Sequence, residues 1–589
     1  MQNKHDLWYL IVPISIFTIA ITGYYFGEGD HAFYIPVIRR ILDPSLYPGD
    51  HFFQQPLGKS SLLWPIVAYL SKVFSLEWVF FIGYIAAIVG LFWAVYRLAF
   101  SLFGNRDIAW IALLLLCISR RQDDAIVTQE TLFAIQPVAM PFCIMTLCFF
   151  VEERYILAAV FNALAFLLHP IAAMPLLLLL SLYLILNIRN VGGQTVLTAF
   201  GAFLLITSPL LIIAAVSKGD GASVSDLFKI ASKEWMNIQY RRSPFTFPAL
   251  WGRASWEHFL SIAALLVASM SLKILYAGID KKDQRSLWIV TISLMTLGIA
   301  HLFGSVIPIG LILQFQWSRG LYMLMYIAFI YAAFVIWTGY QQYSSIVDRV
   351  SIIIAAGALA TGENVLTVLA ILACVLLWVR TKVSVRILRE IARILMIMVS
   401  GYIIFRVSRS RNLLFLALIC TPIILFMILE FLRKAKAMEW RPLNKFAFLC
   451  TLLIVVVAAK VYQGGLKIAF PYSKPADTWT QVQYWAAANT PKGAVFIVPP
   501  DTKGFRSFSK RSIVGDNKDG GPGAYSESYA KEWARRMKQL QFYEKFKDAE
   551  FAALANEYRA SFVVTRSGQT LSFPKIYENG DFRVYEIRG

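Results

Sequence analysis

Charge is scarce in this 589-residue chain: 16% of residues are charged, against 58% hydrophobic, and the mean hydropathy is +0.59. An ordinary soluble globule is excluded by that balance. Cysteine is scarce as well. The six (Cys117, Cys143, Cys148, Cys374, Cys420 and Cys450) all lie in apolar segments. None has CxxC spacing, so a thiolate metal site has no support and the cysteines read as small buried hydrophobes. There is no Walker A sequence, which argues against transport driven by the chain's own ATP hydrolysis. Acidic residues are in deficit, 36 against 56 Lys and Arg, giving a net charge of +20. The basic excess is spread over many short loops, so membrane topology and anionic lipid account for it and nucleic acid does not.

What the chain has is apolar length. Many windows near twenty residues lack charge, enough to cross a bilayer core of about 30 Å. Apolar segments fall near 7–25, 76–98, 107–119, 134–151, 154–168, 171–187, 195–216, 257–276, 286–304, 320–338, 347–360, 364–379, 386–405, 412–432 and 444–462. Several are short, so about 13 to 15 transmembrane helices are expected. The first shows no small-residue cleavage site and reads as a retained anchor. IPVIRRIL (35–42) places Ile35, Ile38 and Leu42 on one helical face and Arg39 and Arg40 on the other, as an interfacial helix would. The stretch SLLWPIVAYLSKVF (60–73) is apolar but short and contains Pro65, which suits an interfacial or re-entrant helix.

With a cytoplasmic N-terminus, the basic connectors around Arg106, DKKDQR (280–285), WVRTKVSVR (378–386) and LRKAKAMEWR (432–441) all fall inside, as the positive-inside rule expects. RVSRSRN (406–412) lands outside and counts against the scheme. The balance predicts a multi-pass protein of the cytoplasmic (inner) membrane, residues 1–465, with a long first external loop at 27–61. Residues 466–589 form a small extracytoplasmic α/β domain. There AVFIVPP (494–500), SFVVTRS (561–567) and FRVYEIR (582–588) read as strands, and 526–559 as one or two amphipathic helices. No glycine-rich phosphate loop opens a helix in that domain.

Charges gather at the external ends of spans. GEGDH (27–31) leaves the first, with Asp30 and His31. RRQDDAIVTQETLF (120–133) carries Asp123, Asp124 and Glu130. His169 precedes Pro170, the 217–256 loop carries Arg241 and Arg242 among aromatics, and Arg319 follows Trp317. A carboxylate at this depth can take a proton from an attacking hydroxyl, and partial desolvation at the edge of the bilayer is expected to raise the pKa of Asp30. Arginines can hold a phosphate through paired N–H donors. Each residue also has a plainer reading. Asp30 suits a helix end and Asp43 a turn before Pro44, while Asp123 and Asp124 offset Arg120 and Arg121. His169 suits interfacial packing and Arg319 a snorkelling anchor. The basic loop DTKGFRSFSKRS (501–512), with Arg506 and Arg511, is expected to hang over the membrane site and help bind donor or acceptor.

The loop running GEGDHAFYIPVIRRILDPSLYPGD from Gly27 to Asp50, the His169–Pro170 pair and the tail WAAANTPKGAVFIVPPDTKGFRSFSKRS (485–512) carry a resemblance. On these the chain resembles the GT-C superfamily of integral-membrane glycosyltransferases. That group includes protein mannosyltransferases, aminoarabinose transferases and the catalytic subunit of oligosaccharyltransferase. The resemblance implies an all-α polytopic membrane domain and a polyprenyl-phosphate sugar donor. It also implies a glycan, lipid or protein acceptor outside the membrane and inverting transfer. In that family the first-loop acid is the base or a metal ligand, which maps to Asp30, with His31 orienting it or sharing a ligand role. A divalent ion (Mg or Mn) would draw on Asp30, Asp123 and Asp124, although the adjacent pair departs from DxD spacing. Arg319 and Arg241 or Arg242 would hold the donor phosphate. A transporter or flippase of a polar lipid, or a non-catalytic scaffold of the same fold, is the alternative. The transporter needs polar groups in mid-span that most spans here lack.

Overall fold

The computed structural model describes residues 4–54, 61–120, 126–216, 228–342, 345–382, 384–408, 450–454, 457 and 477–587. Five described helices are long and apolar enough to cross a membrane: Leu76–Phe103, Gly193–Ile213, Arg253–Ala277, Lys281–Val306 and Trp317–Gln342. Shorter apolar helices, among them Ile135–Val151, Tyr155–Leu168, Pro170–Leu186 and Asn364–Arg380, pack with them. In Trp317–Gln342, 94% of the apolar window is buried, so this helix is the centre of the bundle. Its neighbours expose Leu, Ile and Val outward, as lipid-facing helices do. The expected segments thus appear as helices throughout the described membrane region. The segment 412–432, the greater part of 444–462, Cys420 and the boundary near 465 lie outside the described residues.

Helix ends follow local chemistry. Gly104, at φ 64°, closes Leu76–Phe103, and the Asn105 side chain accepts from the N–H groups of Asp107 and Ile108 to start Arg106–Leu116. The basic connector DKKDQR is not a loop but the first turn of Lys281–His301, started by a reciprocal capping box between Asp280 and Asp283. Lys273 reaches back to Asp283, Lys282 donates to the Ser101 carbonyl and Arg285 pairs with Glu153. These contacts tie the helix ends together on the side away from the first long loop.

The described part of that loop holds the helix His31–Leu42 and a single 3-10 turn (His51–Gln54), between the helices Lys4–Thr22 and Leu63–Leu70. Helix α1 (Lys4–Thr22) leads into a turn at Gly27 and Gly29, with φ of 87° and 57°, which glycine alone adopts without strain. Helix α2 (His31–Leu42) buries Ile35 and Ile38, as its pattern predicts. Leu42, expected on the same face, is instead 37% exposed, because the helix ends there and the chain turns at Asp43. Asp43 Oδ1 accepts from the Ser45 N–H and hydroxyl, as its turn reading requires, and Oδ2 meets Lys492 of the tail at 2.6 Å. Helix α3 (Leu63–Leu70) is short and exposes Ile66 and Tyr69, as an interfacial helix would.

Residues 477–587 form an α/β domain on a five-stranded sheet ordered β2-β1-β3-β5-β4. The strands are β1 (Val495–Ile497), β2 (Ser512–Ile513), β3 (Phe562–Arg566), β4 (Lys575–Glu578) and β5 (Phe582–Glu586). β2, β1 and β3 run parallel, whereas β5 is antiparallel to both β3 and β4. Side chains alternate between two cores. Ile497, Val563 and Tyr585 meet Phe551 and Leu554, while Phe496, Val564 and Val584 meet Val482 and Phe505.

The domain is clamped to the membrane part by buried contacts. Arg506 makes paired bonds to Asp50 at 2.7 and 2.8 Å, and to Asp519 at the same two distances. Helix Lys233–Arg242, from the 217–256 loop, adds an apolar contact of Trp235 and Met236 with Tyr529 and Trp533. Trp235 Nε1 donates to the Gly523 carbonyl at 2.8 Å.

Candidate active site

Between the first loop, one end of the membrane helices and the tail domain lies a cavity of about 740 Å³. Four polar side chains singled out in the sequence line it: Asp30, His169, Arg242 and Arg319. Glu130, visible in the sequence only as part of the second external loop, lines it too. So does Lys518, which sequence reasoning missed. Aromatic walls come from Phe33, Tyr34, Trp64, Phe245 and Tyr525, with Tyr34 stacked on Trp64 at 4.2 Å.

Asp30 follows the Gly27–Gly29 turn at the start of α2. A Cβ at Gly29 would come within 2.8 Å of Leu132, so the turn packs directly on the loop that carries Glu130. The Asp30 carboxylate contacts Lys518 Nζ, yet 43% of its side-chain surface stays accessible, open to the cavity. Burial alone would push its pKa up, as the sequence reading expects. The Lys518 charge and hydrogen bond, then the Arg319 charge, outweigh that and hold the carboxyl below its usual range. The expectation of a raised pKa is therefore corrected, because the cation that overrides burial comes from a distant part of the chain.

Glu130 is held through its backbone. Tyr84 Oη donates to its carbonyl at 2.7 Å, and the neighbouring Thr131 carbonyl accepts from Tyr25 N–H at 3.0 Å. Burial pushes the Glu130 carboxyl up to about 7, with the Asp30 charge adding and the Arg319 and Lys518 charges opposing. Arg319 is fixed as a fork: Nε donates to Gln316 Oε1 at 2.7 Å and Nη1 to Gln136 Oε1 at 2.6 Å. Gln316 itself sits at φ 45°, turning the chain between two short helical pieces. Arg242 donates from Nη2 to the Lys518 carbonyl at 3.2 Å, which ties helix Lys233–Arg242 to the cavity roof. His169 caps the Pro170–Leu186 helix, and its Nδ1 has no hydrogen-bond partner among the described residues.

The other sequence candidates stand elsewhere. The His31 ring turns into the protein: Nδ1 accepts from Gly27 N–H at 2.9 Å, so Nε2 carries the hydrogen and donates to the Phe133 carbonyl at 2.9 Å. Burial lowers its pKa to about 4, and it stays neutral while pinning the turn that presents Asp30. Arg241 is exposed. Arg506 is consumed by Asp50 and Asp519, and Arg511 donates to the carbonyls of Ala487 and Thr490. The 501–512 loop therefore anchors the domain to the first loop at Asp50, against the expectation that it hangs over the site. The roof is the next segment: Lys518, Gly521, Pro522 and Tyr525, on a 3-10 helix (Asn517–Ala524) begun by the Asp516–Asp519 capping box. Asp123 and Asp124 lie outside the described residues.

Among the described residues no three His, Cys, Asp or Glu side chains gather as a metal site. At Asp30 the fit to a divalent ion is poor, since the Lys518 ammonium already holds the carboxylate.

The family described as a domain of unknown function (DUF6798) matches residues 477–540, which include the anchor loop and the roof. No curated protein matches the chain. Among solved structures, the chain is similar to ArnT from Cupriavidus metallidurans bound to undecaprenyl phosphate, with 11% identity, a TM-score of 0.47 and coverage of 99% of this chain and 98% of that one. The apo state of the same protein gives 10% identity, a TM-score of 0.45 and the same coverage. At such identities and scores, function has to be argued from the site itself.

Proposed function

We propose that the chain is a multi-pass membrane glycosyltransferase. It takes one sugar from a polyprenyl-phosphate donor and passes it to an extracytoplasmic glycan, lipid or protein acceptor. One observation carries the reading: three cations, Lys518, Arg242 and Arg319, and two carboxylates, Asp30 and Glu130, face one cavity at one end of the membrane helices. With both acids ionised the cavity carries one excess positive charge, which suits a single phosphate diester. The aromatic walls suit an isoprenoid chain and the apolar face of a sugar ring.

The chemistry is a single displacement. The acceptor oxygen attacks the anomeric carbon as the bond from that carbon to the phosphate oxygen breaks, which inverts the configuration. The polyprenyl phosphate leaves against the cations, and a carboxylate takes the acceptor's proton. Asp30, ionised at neutral pH, is the acceptor the sequence points to. The reading also places the tail domain outside the cytoplasm, with the N-terminus inside.

Its test is turnover by the full chain in lipid nanodiscs, supplied with polyprenyl-phosphate hexoses and envelope lipid or glycan acceptors. Release of free polyprenyl phosphate, reduced strongly in Asp30→Asn, is expected. A wild-type protein that leaves every such donor intact defeats the proposal.

A further inference from the structure

The two acidic side chains of the cavity stand in opposite situations. Asp30 is matched: Lys518 Nζ contacts its carboxylate, and Arg319 faces the same space. Glu130 is unmatched: among the described residues only its backbone carbonyl is bonded, through Tyr84, and its carboxylate faces the cavity without a partner. A carboxylate already clamped by an ammonium makes a poor proton acceptor, because taking the proton means giving up the pair. The partnerless carboxylate opposite it carries no such cost.

Resting on the transferase reading above, we infer that Glu130 takes the proton from the attacking acceptor hydroxyl, while Asp30 is a positioning residue that holds Lys518 at the donor-phosphate side. The proton leaves the acceptor oxygen for Glu130 as that oxygen bonds to the anomeric carbon. The electron pair of the broken carbon–oxygen bond goes to the phosphate, whose charge Lys518, Arg242 and Arg319 receive. A pKa near 7 places Glu130 where a base works best at neutral pH: half ionised, yet basic enough to accept. The charged and titratable groups lining the cavity with it are Asp30 and Tyr34 on α2, Lys518 and Tyr525 on the roof, Arg319 at the start of the central helix, Arg242 at the end of helix Lys233–Arg242 and His169 on the Pro170 turn. Asp30 holds the Glu130 pKa up, whereas Lys518 and Arg319 hold it down.

These signs give a test that a purely structural role would not satisfy. The pH profile of kcat/KM for donor turnover is measured on the full chain for wild type, Glu130→Gln, Asp30→Asn and Lys518→Met. The wild type is expected to lose activity on acidification through an acid limb near pH 7. Glu130→Gln should lose roughly 10²–10⁴-fold and flatten that limb. In Asp30→Asn the limb should persist but move to lower pH, since a neighbouring negative charge is gone. In Lys518→Met it should move to higher pH. A Glu130→Gln enzyme that keeps both rate and limb overturns the inference and leaves the transferase reading standing. So does an Asp30→Asn enzyme whose limb vanishes, a result that holds even if Glu130→Gln fails to fold. Absence of any wild-type turnover overturns both.

Discussion

Arg319 shows how a single side chain is prepared. Gln316 and Gln136 hold two of its nitrogens, so the guanidinium plane is set before any ligand arrives. Arg319→Lys keeps the charge and loses the fork. It should raise the KM for donor about 10–100-fold, the worth of one or two charge-assisted hydrogen bonds. Steady-state kinetics on the purified variant check this. Asp30 makes a pH prediction. Its folded pKa lies below the ordinary value of about 3.9, so the stabilisation from the Lys518 pair is complete above that pH and fades as pH falls through the folded pKa. The melting temperatures of wild type and Asp30→Asn, apart at pH 7, should converge on acidification. Asp30, His169 and Arg319 were legible in the sequence because each stands at the end of a membrane segment on the same face, and Arg242 because it stands among aromatics in a long loop on that face. Lys518 was not, since nothing local in DNKDGGPG reveals a partner 488 positions away.

At the scale of elements, the clamp of Asp50, Arg506 and Asp519 decides where the roof sits. All three side chains are at most 7% accessible, and Ile513 N–H adds a bond to Asp50 at 3.0 Å. Arg506→Leu strands two buried carboxylates and should cost about 3–5 kcal/mol, visible in denaturant unfolding of the full chain. The same change should weaken donor turnover, because Asp519 and Lys518 share one short helix. Gly520 is a narrower probe. A Cβ there would come within 2.7 Å of the Trp533 ring and 2.8 Å of Arg242 Cδ, so Gly520→Ala should displace Arg242 and cost about 1–3 kcal/mol. Sequence pattern found the strands β1, β3 and β5 and both helices within 526–559, because alternation and amphipathicity are local. It assigned Arg506 and Arg511 to ligand binding because a basic loop after a strand looks the same whether it meets substrate or buried carboxylates.

For the whole molecule, the membrane helices were legible from apolar length alone, and basic residues away from the cavity bond partners at the helix ends around Ser101, Glu152 and Glu153: Arg97 to Glu152, Lys282 to the Ser101 carbonyl and Arg285 to Glu153. An alkaline phosphatase fusion after residue 589 should therefore be active, and a fluorescent fusion there dark. The rival reading as a lipid flippase separates cleanly from sugar transfer in sealed vesicles. Donor labelled in both sugar and lipid is placed in the leaflet facing the cavity, with acceptor on the same side, and both labels are followed after adding the protein. The account predicts that the sugar label moves to the acceptor, that lipid-labelled polyprenyl phosphate without its sugar accumulates in the same leaflet, and that Asp30→Asn and Glu130→Gln suppress both. Intact donor appearing in the opposite leaflet, with the two labels still joined, would contradict it.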